Sequence, residues 1–253
     1  MNSTTTITIT TVAERPELAG RLWDFPDSWP GFVQEDLVSW AHYMRIPAEF
    51  PEYVLVATDD ESGAVIARGL SVPFLLNADD RGGLPALGWD QAVLWAFSDL
   101  RRGRKPDTVS AVEVAVSTAR QGEGLSGLML AAMRENAARC GHAELVAPVR
   151  PSAKHLEPRT PIEEYAFRTR PQDGLPHDPW LRVHVRAGGV IEAVAPASMT
   201  VTGSLAQWRA WTDLPFDETG DVEVEGALVP VHCDAQQGHA VYVEPNVWVR
   251  HRI

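Results

Sequence analysis

Along the chain the spacing of apolar positions changes several times, and each change marks a different element. Residues 7–12 alternate apolar with polar, as a half-buried strand does. Residues 16–23 suit a short helix. Phe32, Val33, Leu37, Trp40 and Met44 fall near helical spacing and predict a second helix over 32–44. Two β-rich runs, 53–58 and 64–72, flank Asp59, Asp60, Glu61, Ser62 and Gly63, a hairpin turn signal. Residues 73–87 read as loop and 90–100 as helix.

The middle of the chain is the most informative. Residues 109–117 form an apolar strand. Leu125, Leu128, Met129, Ala132, Met133, Ala137 and Cys140 then mark one face of a helix that Gly141 ends. Residues 143–149 form another strand. Strand, helix and strand at these lengths imply a parallel pair joined by a right-handed crossover. Residues 150–177, rich in Pro, Arg and Glu, read as an ordered insertion. Asp178 before Pro179 is an N-cap with proline in the first turn, and this helix stops at Gly188 and Gly189. Residues 190–202 form a strand, Ser204 to Gln207 a capping box, and 222–232 and 240–249 two more strands. With no linker in between, one domain is expected over 1–203, with 204–253 as a C-terminal extension packed on it.

Composition narrows the function classes. The 253 residues are 45% hydrophobic, enough for a sizeable core. Outside a polar start over residues 1–6, nothing in the chain suggests disorder. A net charge of −12 argues against nucleic acid, which needs a basic surface. No apolar run is long enough to cross a membrane, and the start lacks a basic segment followed by an apolar one, so neither a membrane span nor a secretory signal is expected. Two cysteines make no disulfide framework, and a reducing cytoplasm is the expected location. His232, Cys233, Asp234 and His239 match no common zinc spacing, and no metal is expected. Arg101, Arg102, Arg104 and Lys105 form a basic cluster: a solvated helix end, or a contact for a phosphorylated cofactor or an acidic carrier protein.

Between strand 109–117 and its helix lies a glycine-rich turn. Gly122 and Gly124 permit tight turning, and the unpaired amides of a helix's first turn favour a phosphate. Gly122, Gly124 and Gly127 also fit a dinucleotide fingerprint, with Glu144 twenty residues past Gly124. Its context is wrong, however. Residues 117–121 separate the first glycine from the strand, and Glu144 begins its strand instead of ending it.

Val116, Ser117, Thr118, Ala119, Arg120, Gln121, Gly122, Glu123, Gly124, Leu125 and Ser126 together resemble the central motif of the GNAT acetyltransferase superfamily. That motif is a strand ending in Val, then Arg/Gln-x-x-Gly-x-Gly/Ala opening a helix. Gln121, Gly124 and Ser126 take its defining places, Ser126 standing where Gly or Ala is usual. A second stretch, Val183 to Gly189, resembles the family's later helix end, with His184 at the place of a frequent tyrosine. The resemblance covers about residues 30–200, and the stretches 149–154, 178–184 and 242–248 look like an actinobacterial subgroup.

The resemblance implies an α/β (α+β) GNAT fold: a mixed, mostly antiparallel sheet with a parallel strand pair, flanked by helices. It also implies acetyl-CoA or another acyl-CoA as donor and a small-molecule amine as acceptor. The amides of Gln121, Gly122, Glu123, Gly124, Leu125 and Ser126 would cradle the pyrophosphate, and Val114, Ala115 and Val116 would pair with the pantetheine. His184 would protonate the departing thiolate, since imidazole titrates near neutral pH. Glu113 is the candidate base, on the side of Ala115 and opposite Val112, Val114 and Val116 if alternation is regular. Two other readings stay open. The donor could be an acyl carrier protein docked on the 101–105 cluster, or the protein could be a non-catalytic acyl-CoA sensor.

Overall fold

In the computed structural model, residues 6–25 and 29–253 are described, so most of the polar start lies outside the described residues. One nine-stranded sheet organises the chain. β1 (Ile7–Thr11), β2 (Val54–Asp59), β3 (Val65–Phe74) and β4 (Thr108–Val116) are antiparallel neighbours in that order. β5 (Glu144–Val149) then pairs parallel with β4, the crossover being α4 (Leu125–Arg139). β9 (His239–Arg252) lies beyond β5 and pairs with it antiparallel. Along its other edge β9 pairs with β6 (Val190–Ser204) over the whole length, and its first residues pair with β8 (Val231–Asp234), which pairs with β7 (Gly220–Val222).

Helices cover both faces of the sheet, giving two cores. On one face α4, α5 (Ile162–Ala166) and α6 (Pro179–Arg186) bury Met129, Met133, Ile162 and Leu181 against β4, β5 and β9. On the other, α3 (Gly88–Arg102) and α7 (Leu205–Thr212) bury Ala92, Val93, Phe97 and Trp208 against β3, β6 and β9. Trp208 is fully buried and donates its indole N–H to the Ala240 carbonyl at 2.8 Å. The capping box at Ser204 and Gln207 is formed as the sequence predicts.

Two expectations change. The helix over 32–44 breaks into a 3-10 turn, α1 (Leu37–His42), a second 3-10 turn and the short α2 (Ile46–Glu49). Asp36 causes the break: its carboxylate accepts from the Ser39 amide at 2.7 Å, which starts a new helix. Leu37, Trp40 and Met44 face solvent, not the core, and so does Leu128 on α4. The strand over 222–232 splits into β7 and β8, because Gly226 takes a left-handed φ of 79° and Pro230 offers no amide. Residue 203 lies next to the end of β6, and the residues beyond it supply β9 in the middle of the sheet.

The 150–177 insertion is tied to α6 through one carboxylate. Oδ1 of Asp178 accepts from the amides of Trp180 (2.9 Å) and Leu181 (3.0 Å), capping the helix. Its Oδ2 accepts from the Ala153 amide (2.9 Å) and the Tyr165 hydroxyl (3.0 Å). Lys154, buried, donates to the carbonyls of Glu157 and Leu228, each at 2.7 Å. Asp178→Ala is expected to cost about 2 kcal/mol, at the top of the range for a lost cap, because it also orphans two donors outside the helix. Urea unfolding of the variant beside Asp178→Asn measures it; a loss no larger than that of an exposed cap would mean the insertion is held elsewhere.

Candidate active site

The parallel pairing of β4 with β5 is brief: only Val109 with Leu145 and Ser110 with Val146 are in register. Past these the strands part. Val112 is extra on β4, since Leu70 faces Glu113 while Ser71 faces Ala111, and Pro148 in β5 has no amide for a ladder. The bulge also puts Val112 on the same face as Glu113, so regular alternation fails there. Val114 and Val116 do lie on the opposite face, packed against the α4 side.

A cavity of about 330 Å³ fills the fork. β4 contributes Ala111 to Val114, β5 contributes Ala147 to Val149 with Arg150 just beyond it, and α4 and α6 close it with Ser126, Leu130, Trp180 and His184. Among the described residues, no strand pairs with this side of β4 past Ser110, leaving a backbone edge for an extended ligand.

At the end of β4 the chain makes a 3-10 turn (Thr118–Arg120) and enters α4 through Gly122 and Gly124, with φ of 86° and 80°. An added Cβ would meet nothing within 4 Å at either glycine. The requirement is conformational, and the space beside the loop is open. Gly124 sits at the N-cap and offers no side-chain acceptor, so the first amides of α4 are uncapped. Gln121, Glu123 and Leu125 complete this loop, and Arg120 fixes it by pairing with Glu123 and with Asp59 of β2, both at 2.8 Å.

His184 is buried and lies edge-on to Trp180, with ring centroids 4.6 Å apart. Its Nδ1 is 3.0 Å from Nε2 of His251 on β9, so one proton is shared between the rings. Gly189 permits this approach, because a Cβ there would lie 2.6 Å from the His251 ring. Burial, then the neighbouring His251, drives the His184 imidazole down to about 3. The near-neutral titration expected of it is therefore overturned, and His184 is neutral at physiological pH. Sequence reasoning missed His251 because it lies 67 positions away.

Glu113 is also buried, with both oxygens occupied. Arg68 donates to them at 3.0 and 3.1 Å, and the Tyr43 hydroxyl donates at 2.7 Å. A second cavity of about 300 Å³ shares Val112 and Trp29 with the first and is walled by Val33, Trp40, Tyr43, Trp89 and Met199. No periodicity announced this chamber, since its walls come from six separate elements. The basic cluster 101–105 closes α3 and precedes β4, whereas the glycine loop follows β4. Within that cluster Arg104 pairs with Asp80. Among the described residues, no group of three His, Cys, Asp or Glu is placed to hold a metal, and no helix is long and apolar enough to cross a membrane.

A splayed parallel pair, ending in a loop of uncapped amides, leaves room for an extended ligand with an anionic end. Comparisons with known proteins agree. Arginine N-acetyltransferase avaD of Aspergillus versicolor is 34% identical over 273 residues, which cover 96% of this chain and 93% of that protein. The loading GNATL domain of CurA from Lyngbya majuscula has the same fold, with a TM-score of 0.59 at 15% identity over 98% of both chains. So does the GphF GNAT-like decarboxylase in complex with isobutyryl-CoA, with a TM-score of 0.52 at 17% identity, again over 98% of both. No family model matches the chain. The chain belongs to the GNAT N-acetyltransferase superfamily and is an acyltransferase enzyme.

Proposed function

We propose that this protein acetylates the amine of a small molecule, holding acetyl-CoA in the fork between β4 and β5. The fork itself carries the reading: paired strands part at Ser110, and the exposed edge of β4 leads straight to the uncapped amides at Gly124. In this reading the pyrophosphate sits on the amides of Gln121 to Ser126, and the pantetheine lies along Val114 to Val116. The thioester then reaches the bulge at Val112. Free CoA is favoured over a docked carrier protein, because the basic cluster lies before β4 and the glycine loop after it.

The amine attacks the thioester carbon, a C–N bond forms, the C–S bond breaks, and one proton passes from nitrogen to sulfur. His184 is the group for that transfer. Burial makes it a weak acceptor of the ammonium proton, but any imidazolium formed gives that proton readily to the thiolate. Glu113, saturated by Arg68 and Tyr43, positions the bulge and is not the base.

The second chamber is the acceptor side. Trp29, Trp40, Tyr43 and Trp89 give it faces that attract a cation. The relative is named for arginine, and arginine is the first acceptor to try. Calorimetry should show acetyl-CoA binding, and mass spectrometry should show acetylarginine or another acetylated amine. His184→Ala should lower kcat by about a hundredfold or more while acetyl-CoA still binds. Absence of acetyl-CoA binding, or full turnover in that variant, defeats the proposal.

A further inference from the structure

The wall of the fork carries a polar network that acyl transfer by itself does not require. Glu244 on β9 is wholly buried, and a buried carboxylate is costly unless fully bonded. It accepts from Arg150 Nε at 2.9 and 3.1 Å, from the Tyr242 hydroxyl at 2.9 Å and from Asn246 at 3.3 Å. Each partner is locked in turn. The Tyr242 hydroxyl accepts from the Leu228 amide at 2.9 Å. The Asn246 carbonyl accepts from Ser198 Oγ at 2.6 Å, which itself accepts from the Trp89 amide at 2.8 Å. Tyr242, Asn246 and Ser198 are all buried.

Only one member of this network lines the cavity: Arg150, at the end of the β5 arm. Its Nη2 donates to the Gly226 carbonyl at 2.6 Å, and its side chain is 18% exposed. Nη1 makes no well-aligned hydrogen bond among the described residues, the Tyr242 hydroxyl being the remaining polar neighbour of Arg150. The other charged side chain of the cavity, Glu113, is saturated, and His184 is neutral. The network therefore presents a single rigid donor edge of a guanidinium to the reacting space. Such an edge fits a planar carboxylate in geometry and charge. The phosphates of the donor are placed at the other arm, on the glycine loop, so they do not meet it.

From this we infer that Arg150 anchors a carboxylate on the acceptor, and that the acceptor is therefore an amino acid and not a simple amine. The inference rests on the amine-acetylating reading above and adds the substrate class. Its test compares basic amino acids with their carboxamides, which keep the amine and lose only the negative charge. The wild-type enzyme should favour lysine, ornithine or arginine over the matching amide by about ten- to a hundredfold in kcat/KM, the effect expected of a charge-assisted hydrogen bond. Arg150→Gln should bring that ratio close to one, and Arg150→Lys should restore part of it.

The wild-type ratio needs no variant, so it stands even if Arg150→Gln folds poorly. Equal rates on acid and amide in the wild type overturn the inference, as does a ratio that survives in Arg150→Gln. A third arm replaces acetyl-CoA with malonyl-CoA. If Arg150→Gln abolishes a preference for that donor while the acceptor ratio stands, the carboxylate belongs to the acyl group and the assignment falls. Acetylation of carboxylate-free amines as efficiently as amino acids sinks the inference alone. Acetylation of no amine at all sinks the reading beneath it.

Discussion

Arg68→Leu should cost about 3–5 kcal/mol of folding stability, the range for removing one partner of a buried ion pair. Arg68 and Glu113 are joined side by side across β3 and β4, with side chains 0% and 1% exposed. Arg68 also donates to the Leu22 carbonyl at 2.9 Å and lies over the rings of Trp23 and Phe25, 4.8 and 4.9 Å from their centroids. It thus ties the first helical segment to the strand that carries the bulge. Leucine fills the space but leaves the Glu113 carboxylate buried with only the Tyr43 hydroxyl. Glu113→Gln removes the charge while keeping the shape, and should cost less. Urea unfolding of the two variants decides the matter. A loss below about 1 kcal/mol for Arg68→Leu would place the pair among solvated surface bridges and sink the argument. Because the pair braces the Val112 bulge, Arg68→Leu should also lower kcat in whatever fraction remains folded.

Acid should destabilise the protein through the two facing histidines. Burial holds His184 at about 3, and burial followed by Arg134 holds His251 at about 4. An unfolded histidine titrates near 6.5, so between these values the unfolded chain binds more protons than the folded one. The sign follows: the contribution is fully present above about pH 6.5 and is lost as pH falls, by about 1.4 kcal/mol per pH unit for each ring. Asp90 acts in the opposite direction. Burial and then Asp36 raise it to about 8, so its folded form gains stability as pH falls from about 8 toward 4. The measurement is therefore a difference between proteins. Stability of the wild type and of the His184→Gln, His251→Gln double variant is followed from pH 8 to 4.5. The wild type should fall more steeply below pH 6, by up to about 2–3 kcal/mol per unit. Parallel curves would mean that the rings are already solvated.

Local features of this chain were legible from sequence, and contacts between distant residues were not. The hairpin around Asp59 to Gly63, the α4 crossover, the Asp178 cap and the Ser204 capping box each rest on residues a few positions apart, and each formed where expected. The glycine loop was legible for the same reason, since left-handed φ at Gly122 and Gly124 is a property of those residues. The bulge at Val112 was hidden, because a strand's sequence does not show where its neighbour slips. His251 and Glu244 were hidden too: each meets its partner, His184 or Arg150, through the placement of β9. The break at Asp36 is intermediate. Its capping chemistry is local, but the apolar spacing across 32–44 masks it.

β9 also bears on the order in which the molecule can be made. It joins β5 on one edge to β6 along the other, and it follows all of them in the chain. While a ribosome is still adding residues 150–238, β5 remains an uncovered edge strand, and the wall of the fork that Glu244 and His251 support does not exist. Open edges of that kind invite pairing with other chains. The growing polypeptide thus passes through a long interval in which it is exposed to aggregation and has no working site. Both conditions end together when residues 239–252 close the sheet.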